Sequence, residues 1–213
     1  MQFEILPILD QMIELYQKPI NMDRFRRYLN LALNEDKSDI ELPILNFNPM
    51  AKEHILNKCI ELRNLHAEKI LQEEIRNCNS KQSKIPTSRT IKVSIAVADD
   101  IAGSWTNRYS TDYSSKFETS PLLNRNFCTP LFFASESLQP KLFRLRCKEY
   151  ILRTIFQIEH GDPKTLGQHI EQEGKIKIQT NQEDEIELEQ YFADFYFENR
   201  KRRSFENFSV SIR

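Results

Sequence analysis

The stretch that decides the fold is residues 91–117, IKVSIAVADDIAGSWTNRYSTDYSSKF. Its first half alternates strictly, with apolar side chains at Ile91, Val93, Ile95 and Val97 and small or polar ones between them. Successive side chains of a strand point to opposite faces of the sheet. The alternation therefore predicts a strand with one apolar face, and it is the clearest strand pattern in the chain.

A dense group of polar and aromatic residues follows this strand. Asp99 and Asp100 come directly after it, and five further candidates come next: Trp105, Asn107, Arg108, Tyr109 and Asp112. An arginine can bind a carboxylate or phosphate through two N–H groups, and aromatic rings can stack on a ligand or a cation. The sequence therefore predicts a polar-aromatic ligand pocket built from residues 99–113.

The same residues also fit a purely structural corner. Asp100 could initiate a turn, because aspartate does so readily. Arg108 could pair with a neighbouring acid, and Trp105 could belong to the core. Adjacent residues of a strand point to opposite faces, so Asp99 and Asp100 are not expected to act as a pair. The sequence leaves the pocket and the corner open as alternatives.

Size and composition exclude several classes of function. The 213 residues suffice for one large domain or two small ones. A net charge of −1 gives no long-range attraction to nucleic acid or to an anionic membrane. Only 4 glycines, where an average protein has roughly 7%, predict a largely helical chain. No phosphate-binding glycine loop, nucleophile elbow or cofactor-anchoring motif is present.

The cysteines and the chain start bear on the cellular compartment. The four cysteines are too widely spaced for a metal knuckle or a redox pair, so we expect free thiols in a reducing cytosol. The first residues lack the pattern of a secretory signal, and no apolar stretch approaches the length that spans a bilayer. The expected location is cytoplasmic, without a membrane partner.

Helical spacing predicts helices over 4–17, from Asn21 onward, and over 49–76. The last of these begins with a cap-and-proline signal at Asn48 and Pro49. Its broad apolar stripe suits either a helix bundle or a dimer seam, and a homo-oligomer formed through the helix is the prediction carried forward. On the second helix, an exposed charged face is expected to hold Arg24, Arg26 and Arg27.

A further helix is predicted from Pro140 to His160, and Gly161 and Pro163 mark its end. Its expected solvent face carries Arg144, Arg146, Lys148 and Arg153. Thr165 and Gln168 predict a capping box for a short helix that stops at Gly174. Beyond it we expect a brief edge strand over 175–180, an acidic amphipathic helix over 183–198, and a strand or tail over 204–213.

The predicted fold class is α+β and mainly helical, with a small sheet that we expect to be antiparallel. A second strand is predicted over 127–134, where Pro130 favours an edge position. Domain organisation is predicted as a helical region, 1–78, and an α+β region, 90–213. A polar connection over 77–89 joins them, and one continuous domain is the alternative.

Three functional hypotheses follow. The first is a non-enzymatic binding or interaction module that uses the 99–113 pocket and self-associates through 49–76. The second is an enzyme, a hydrolase or lyase, that uses Asp99, Asp100 and Arg108. Magnesium enters only under that second hypothesis, because acids after a strand are common magnesium ligands. No other cofactor is predicted.

The third and weakest hypothesis is nucleic-acid binding through the helix-turn-helix-like segment 140–174. Acids in its second helix, Glu171 and Glu173, would repel phosphates, so nucleic acid is a disfavoured partner. Four potential metal ligands lie in the same segment: His160, Asp162, His169 and Glu171. Their spacing matches no known metal pattern, and no metal site is predicted.

Overall fold

The computed structural model describes residues 1–81, 89–101 and 106–180. The elements in chain order are β1 (Gln2–Ile5), α1 (Leu9–Tyr16), α2 (Met22–Ala32), α3 (Glu53–Asn64), α4 (Ala67–Lys81), β2 (Thr90–Val93), β3 (Ala96–Ala98), α5 (Arg108–Phe117), α6 (Ser120–Leu123), β4 (Phe127–Cys128), β5 (Leu131–Phe133), α7 (Pro140–His160) and α8 (Leu166–Thr180). The predicted class, α+β and mainly helical, is confirmed.

The sheet is parallel, so the antiparallel expectation is wrong. β2 lies between β1 and β4, and β3 pairs with β5. Hydrogen bonds bridge the short interruptions: Ser94 donates to the Cys128 carbonyl at 3.1 Å, and Ala96 to the Pro130 carbonyl at 3.0 Å. Helices lie between β1 and β2 and between β3 and β4 along the chain, and such crossovers return the chain in the same direction. The single strand predicted over 127–134 is two short strands, β4 and β5, and each lies at an edge, as predicted.

The strand predicted over 91–97 forms β2 and β3, and from Val93 onward it is buried on both faces. Every residue from Val93 to Ala98 is buried, including Ser94, which the alternation assigned to the polar face. Helices cover both faces of a parallel sheet, so its strands lose the exposed face that antiparallel strands keep. The small side chains at Ala96 and Ala98 fill the second face without exposing apolar surface.

The first residues form a strand, not the start of a helix. β1 pairs with β2 in register, Phe3 opposite Ile91, and α1 begins only at Leu9. Asn79 completes the other edge of β1, because its side chain accepts from the Phe3 N–H and donates to the Phe3 carbonyl, both at 2.9 Å. The partners that make this segment a strand are remote in sequence.

The predicted long helix over 49–76 is two helices. α3 starts at Glu53, four residues later than the Asn48–Pro49 signal predicts, and the break between α3 and α4 contains His66 with φ +55°. The apolar stripe is largely buried, and α3 and α4 pack on α1, β1 and α7 of the same chain. The homo-oligomer stays a prediction.

Several helix boundaries are confirmed. The Asn21 side chain caps α2 by accepting from two backbone N–H groups, at 3.0 Å each. α7 ends at His160, followed by Gly161 at φ +77°. The Thr165–Gln168 capping box is present. α8 does not stop at Gly174, however, and the edge strand predicted over 175–180 is wrong: the helix continues to Thr180, where Ile176 is buried.

Two arginines expected on solvent faces are buried. Arg24 donates to the backbone carbonyls of Lys18, Pro49 and Ala51. Arg153 pairs with Glu173 of α8. Helical spacing identifies the face opposite the apolar stripe, but it does not reveal that a loop or a later helix covers that face.

One hydrophobic core joins both predicted regions, since β1 comes from 1–78 and the other strands from 90–213. The four cysteines are buried free thiols, as predicted. Burial raises the pKa of Cys59 and of Cys128 to about 12.

Within the described ranges, no helix combines the length and apolar character needed to cross a bilayer. The segments predicted over 183–198 and 204–213 lie outside the described residues.

Candidate functional site

The carboxyl ends of β3 and β5 meet at one edge of the sheet, which we call the carboxyl edge. Asp99 and Asp100 follow β3 there, and Ser135 and Glu136 come shortly after β5. Parallel strands end at a common edge, and α/β proteins bind ligands outside the carboxyl ends of their strands. The carboxyl edge is therefore the first place to look for a site.

Asp99 faces an imidazole and an amide in the interior. Its side chain is fully buried; Oδ2 accepts from Asn48 Nδ2 at 2.8 Å, and Oδ1 lies 2.9 Å from His54 Nε2. The Ile101 N–H also donates to Oδ1, at 3.2 Å. The His54 contact has ion-pair distance, but the ring N–H is not aligned as a hydrogen bond. It is an electrostatic contact that strengthens when the imidazole is protonated.

The loop between α2 and α3 carries Asn48 to Asp99 and leads into the first turn of α3, which holds His54. Tyr16 donates its hydroxyl to the Asn48 carbonyl at 2.7 Å, and Arg24 donates to the two carbonyls at Pro49 and Ala51. Burial raises the pKa of Tyr16, so the phenol stays protonated and keeps donating. These bonds fix the loop and thereby the position of the Asn48 amide.

An open groove of about 840 Å³ lies beside His54. The imidazole side chain is 20% exposed and His54 lines the groove, while Nε2 stays against Asp99. The described lining residues are Tyr16, Gln17, Lys18, Pro19, Ile20, Arg24, Lys52, Glu53, His54, Leu56 and Asn57. A buried carboxylate thus contacts a histidine that a ligand in the groove could touch.

Asp100 turns the other way and enters a network of ionic side chains. It accepts from the Ser135 N–H at 3.0 Å and from Arg108 Nη1 at 2.8 Å, and 6% of its side chain is exposed. Burial alone would raise the pKa of Asp100, but the hydrogen bonds from Ser135 and Arg108 outweigh burial and lower it. Asp100 is therefore held as a carboxylate.

The network continues through Arg108. Its Nη2 donates to Glu136 at 3.0 Å, and its guanidinium lies 4.6 Å above the Phe133 ring. Glu136 in turn pairs with Arg146 at 2.5 Å. Every charged group in this chain of contacts has an opposite charge beside it. Asp100 and Arg108 thus satisfy the structural alternative that the sequence left open.

The structure brings only part of the predicted pocket together. Asp100 and Arg108 are in contact, whereas Asp99 points to His54. Asn107 caps α5 by accepting from the Ser110 N–H at 3.0 Å, Tyr109 is 87% exposed, and Asp112 pairs with Lys116 at 2.7 Å. Trp105 lies outside the described residues.

Sequence reasoning missed His54 and misread Asn48. The cap-and-proline pattern assigned Asn48 to a helix start. Its side-chain amide instead donates a hydrogen bond to Asp99, 51 positions away. A histidine in the first turn of a helix carries no signal of its own. Only the packing of α3 against β3 brings His54 to the carboxyl end of β3.

The other candidate groups do not converge. Arg153, expected on the face that would contact DNA, is bound by Glu173 at 2.6 Å. The His169 ring packs on Phe117, with ring centroids 4.6 Å apart, and Glu171 pairs with Lys175. Across residues 1–81, 89–101 and 106–180, no three His, Cys, Asp or Glu side chains come close enough to hold a metal ion.

Comparison with known proteins adds no relative. No protein-family model matches the chain. No curated protein and no solved structure matches it either.

Proposed function

We propose that the protein is a binding module for a small anionic molecule, with the ligand in the groove beside His54. The observation that carries the proposal is the 2.9 Å contact between His54 Nε2 and the buried Asp99 carboxylate at the carboxyl edge. A carboxylate beside an imidazole fixes the ring, and an imidazole N–H can donate a hydrogen bond to an anion. The groove is wide enough to admit a ligand to that ring.

Charge in the groove favours an anion. Lys18, Arg24 and Lys52 line it, against Glu53 and the Asp99 carboxylate behind His54. The cations are therefore in slight excess among the described lining residues, even when the imidazole is neutral. The two lysines are exposed and free to move toward a ligand, whereas Arg24 is held by backbone carbonyls. Carboxylates and phosphate esters are the ligands that this arrangement suits.

The second candidate function is an enzyme, a hydrolase or lyase, with His54 as general acid or base. The same contact favours it, because a buried carboxylate that orients an imidazole is a common arrangement for proton transfer. Asp100 and Arg108, the residues that the sequence suggested for catalysis, are tied into the ionic network instead. Under this hypothesis Asp99 and His54 carry the chemistry.

A panel of small carboxylates and phosphate monoesters tests binding by thermal shift and calorimetry. We expect at least one compound to stabilise the wild type, and His54→Gln to weaken its binding at least tenfold. His66→Asn is the matched control, because His66 is exposed, lies outside the groove, and has a positive φ that asparagine tolerates. Equal binding by His54→Gln and the wild type would refute the site.

Measuring substrate turnover distinguishes the enzyme hypothesis from the binding-module hypothesis. p-Nitrophenyl acetate reports hydrolysis of a neutral carboxylic ester, and p-nitrophenyl phosphate reports hydrolysis of an anionic phosphate monoester. An activity that His54→Gln and Asp99→Asn both abolish, and that His66→Asn keeps, would favour the enzyme. Binding without any turnover of these substrates would favour the binding module.

A further inference from the structure

A second cavity, of about 270 Å³, lies between α5, α6, β4 and α7. None of its described lining residues borders the groove beside His54, so the two spaces are distinct. Eight of its fifteen described lining residues carry a hydroxyl group, from Ser110 and Thr111 on α5 to Tyr150 and Thr154 on α7. Hydroxyls both donate and accept hydrogen bonds, so this lining complements a ligand that does both.

Arg153, the one cation among the described lining residues of this cavity, is already paired with acids. Arg153 donates through Nε and Nη2 to the two oxygens of Glu173, at 2.7 and 2.6 Å, and lies 3.6 Å from Glu149. Glu149 is also paired with Lys177. Glu118, the other charged lining residue in the described chain, accepts from Ser114 at 2.7 Å. An anion would find no unpaired cation here.

Two polar groups at the cavity have unused hydrogen-bonding capacity. Thr129 lines it and makes no hydrogen bond with any described residue. Arg153 is only 2% exposed, and its Nη1 is buried without a hydrogen-bond acceptor in the described chain. A buried donor without an acceptor is unfavourable, but Arg153 Nη1 has almost no accessible surface, so of these two groups the Thr129 hydroxyl is the one open to a ligand.

We infer that this cavity binds an uncharged, polyhydroxylated small molecule of about monosaccharide size. Its volume lies just below the range of roughly 300–1,000 Å³ found for sites of drug-sized ligands, which sets the size. The hydroxyl lining and the paired arginine set the chemistry. The inference is independent of the groove beside His54, which favours an anion.

The test is a titration of the full chain with ribose, glucose and myo-inositol, followed by NMR chemical shifts. The variant Thr129→Val removes the unused hydroxyl and keeps the side-chain shape, so it should fold normally. Thr90→Val on β2 is the matched control, because Thr90 lies outside the cavity. We expect saturable binding of at least one probe, weakened about fivefold by Thr129→Val, the effect of one neutral hydrogen bond, and unchanged by Thr90→Val.

Three results would overturn the inference: no saturable binding to the wild type, equal binding by Thr129→Val, or loss of the binding in His54→Gln. The first would mean that the cavity holds only water. Binding of the neutral probes by His54→Gln at wild-type strength is expected, and it separates this site from the groove. Loss of that binding in His54→Gln would merge the two sites and refute the inference.

Discussion

Asp99 and Asp100 are consecutive in sequence but have opposite surroundings. Asp99 is fully buried and faces His54, whose ring also borders an open groove. Asp100 faces Arg108 and Ser135 in a network where each charge is already paired. Both follow the same strand, so the side on which each carboxylate emerges decides its partners.

The comparison separates an arrangement for stability from one for binding. On the Asp100 side, the donors that reach the carboxylate are tied to each other and to Glu136, which leaves little for a ligand. On the Asp99 side, the imidazole contacts the acid, and His54 also lines an open groove that a ligand can enter. Paired charges stabilise a fold, whereas an acid-bound histidine at a groove is chemically available.

The largest effect is expected from Arg24→Met, which removes the cation that holds the loop on the Asp99 side. Three backbone carbonyls lose their donor, two of them buried, and the free energy of unfolding should fall by about 3 kcal/mol. Urea unfolding measures it.

Arg26→Met is the matched control for that change. Arg26 lies on the same helix, and its ion pair with Asp23 is exposed, so the cost should stay within about 0.5 kcal/mol. Equal effects of the two variants would show that Arg24 does not support the Asp99 side.

The next effect is expected from Asp100→Asn, which should cost about 1–2 kcal/mol at pH 7 by removing the charge that Arg108 and Ser135 bind. The folded-state pKa of Asp100 is lowered, so its contribution is complete above the unfolded pKa of about 3.9 and is lost as pH falls through the folded value. The stability gap between wild type and variant should therefore close in acid. A gap that is independent of pH would contradict the ionic interpretation.

Local signals in the sequence predicted the parts of the fold that local contacts determine. The alternation at 91–97, the Asn21 cap and the Thr165–Gln168 capping box all depend on residues within a few positions. β1 and the burial of Arg24 depend instead on contacts with remote segments, Asn79 and the loop before α3. A short stretch such as β1 carries no signal strong enough to reveal them.

The candidate site divides in the same way. Asp99 and Asp100 were predicted because a strand ends directly before them, and their divergence followed from strand geometry. His54 and Asn48 could not be predicted, because their link to Asp99 exists only after α3 packs on β3. The parallel sheet, which creates the carboxyl edge, likewise depends on which strands become neighbours.

Arg108→Ala should have a smaller effect on stability and none on ligand binding. Arg108 is 45% exposed, so its pairs with Asp100 and Glu136 are partly screened, and their loss should cost about 1 kcal/mol. For a chain of this size that lowers the Tm by roughly 2–4 °C. Differential scanning calorimetry measures it.

His54→Gln should show the reverse pattern, with a small change in Tm and lost binding of the anionic ligand. The comparison between the two sides of the carboxyl edge fails if Arg108→Ala abolishes binding while His54→Gln preserves it. The two variants together thus assign the ligand to one aspartate or the other.

The smallest effect is expected from Tyr109→Ala. The sequence suggested that this ring stacks on a ligand, but it is 87% exposed at the start of α5 and lies in neither the groove nor the hydroxyl-lined cavity. Its removal should change the free energy of unfolding by less than about 0.5 kcal/mol, because exposed substitutions away from special features usually do. Binding of the anionic panel should also be unchanged. Weaker binding in Tyr109→Ala at unchanged stability would move the ligand from the Asp99 side to the Asp100 side, since α5 belongs to the network that Arg108 forms there.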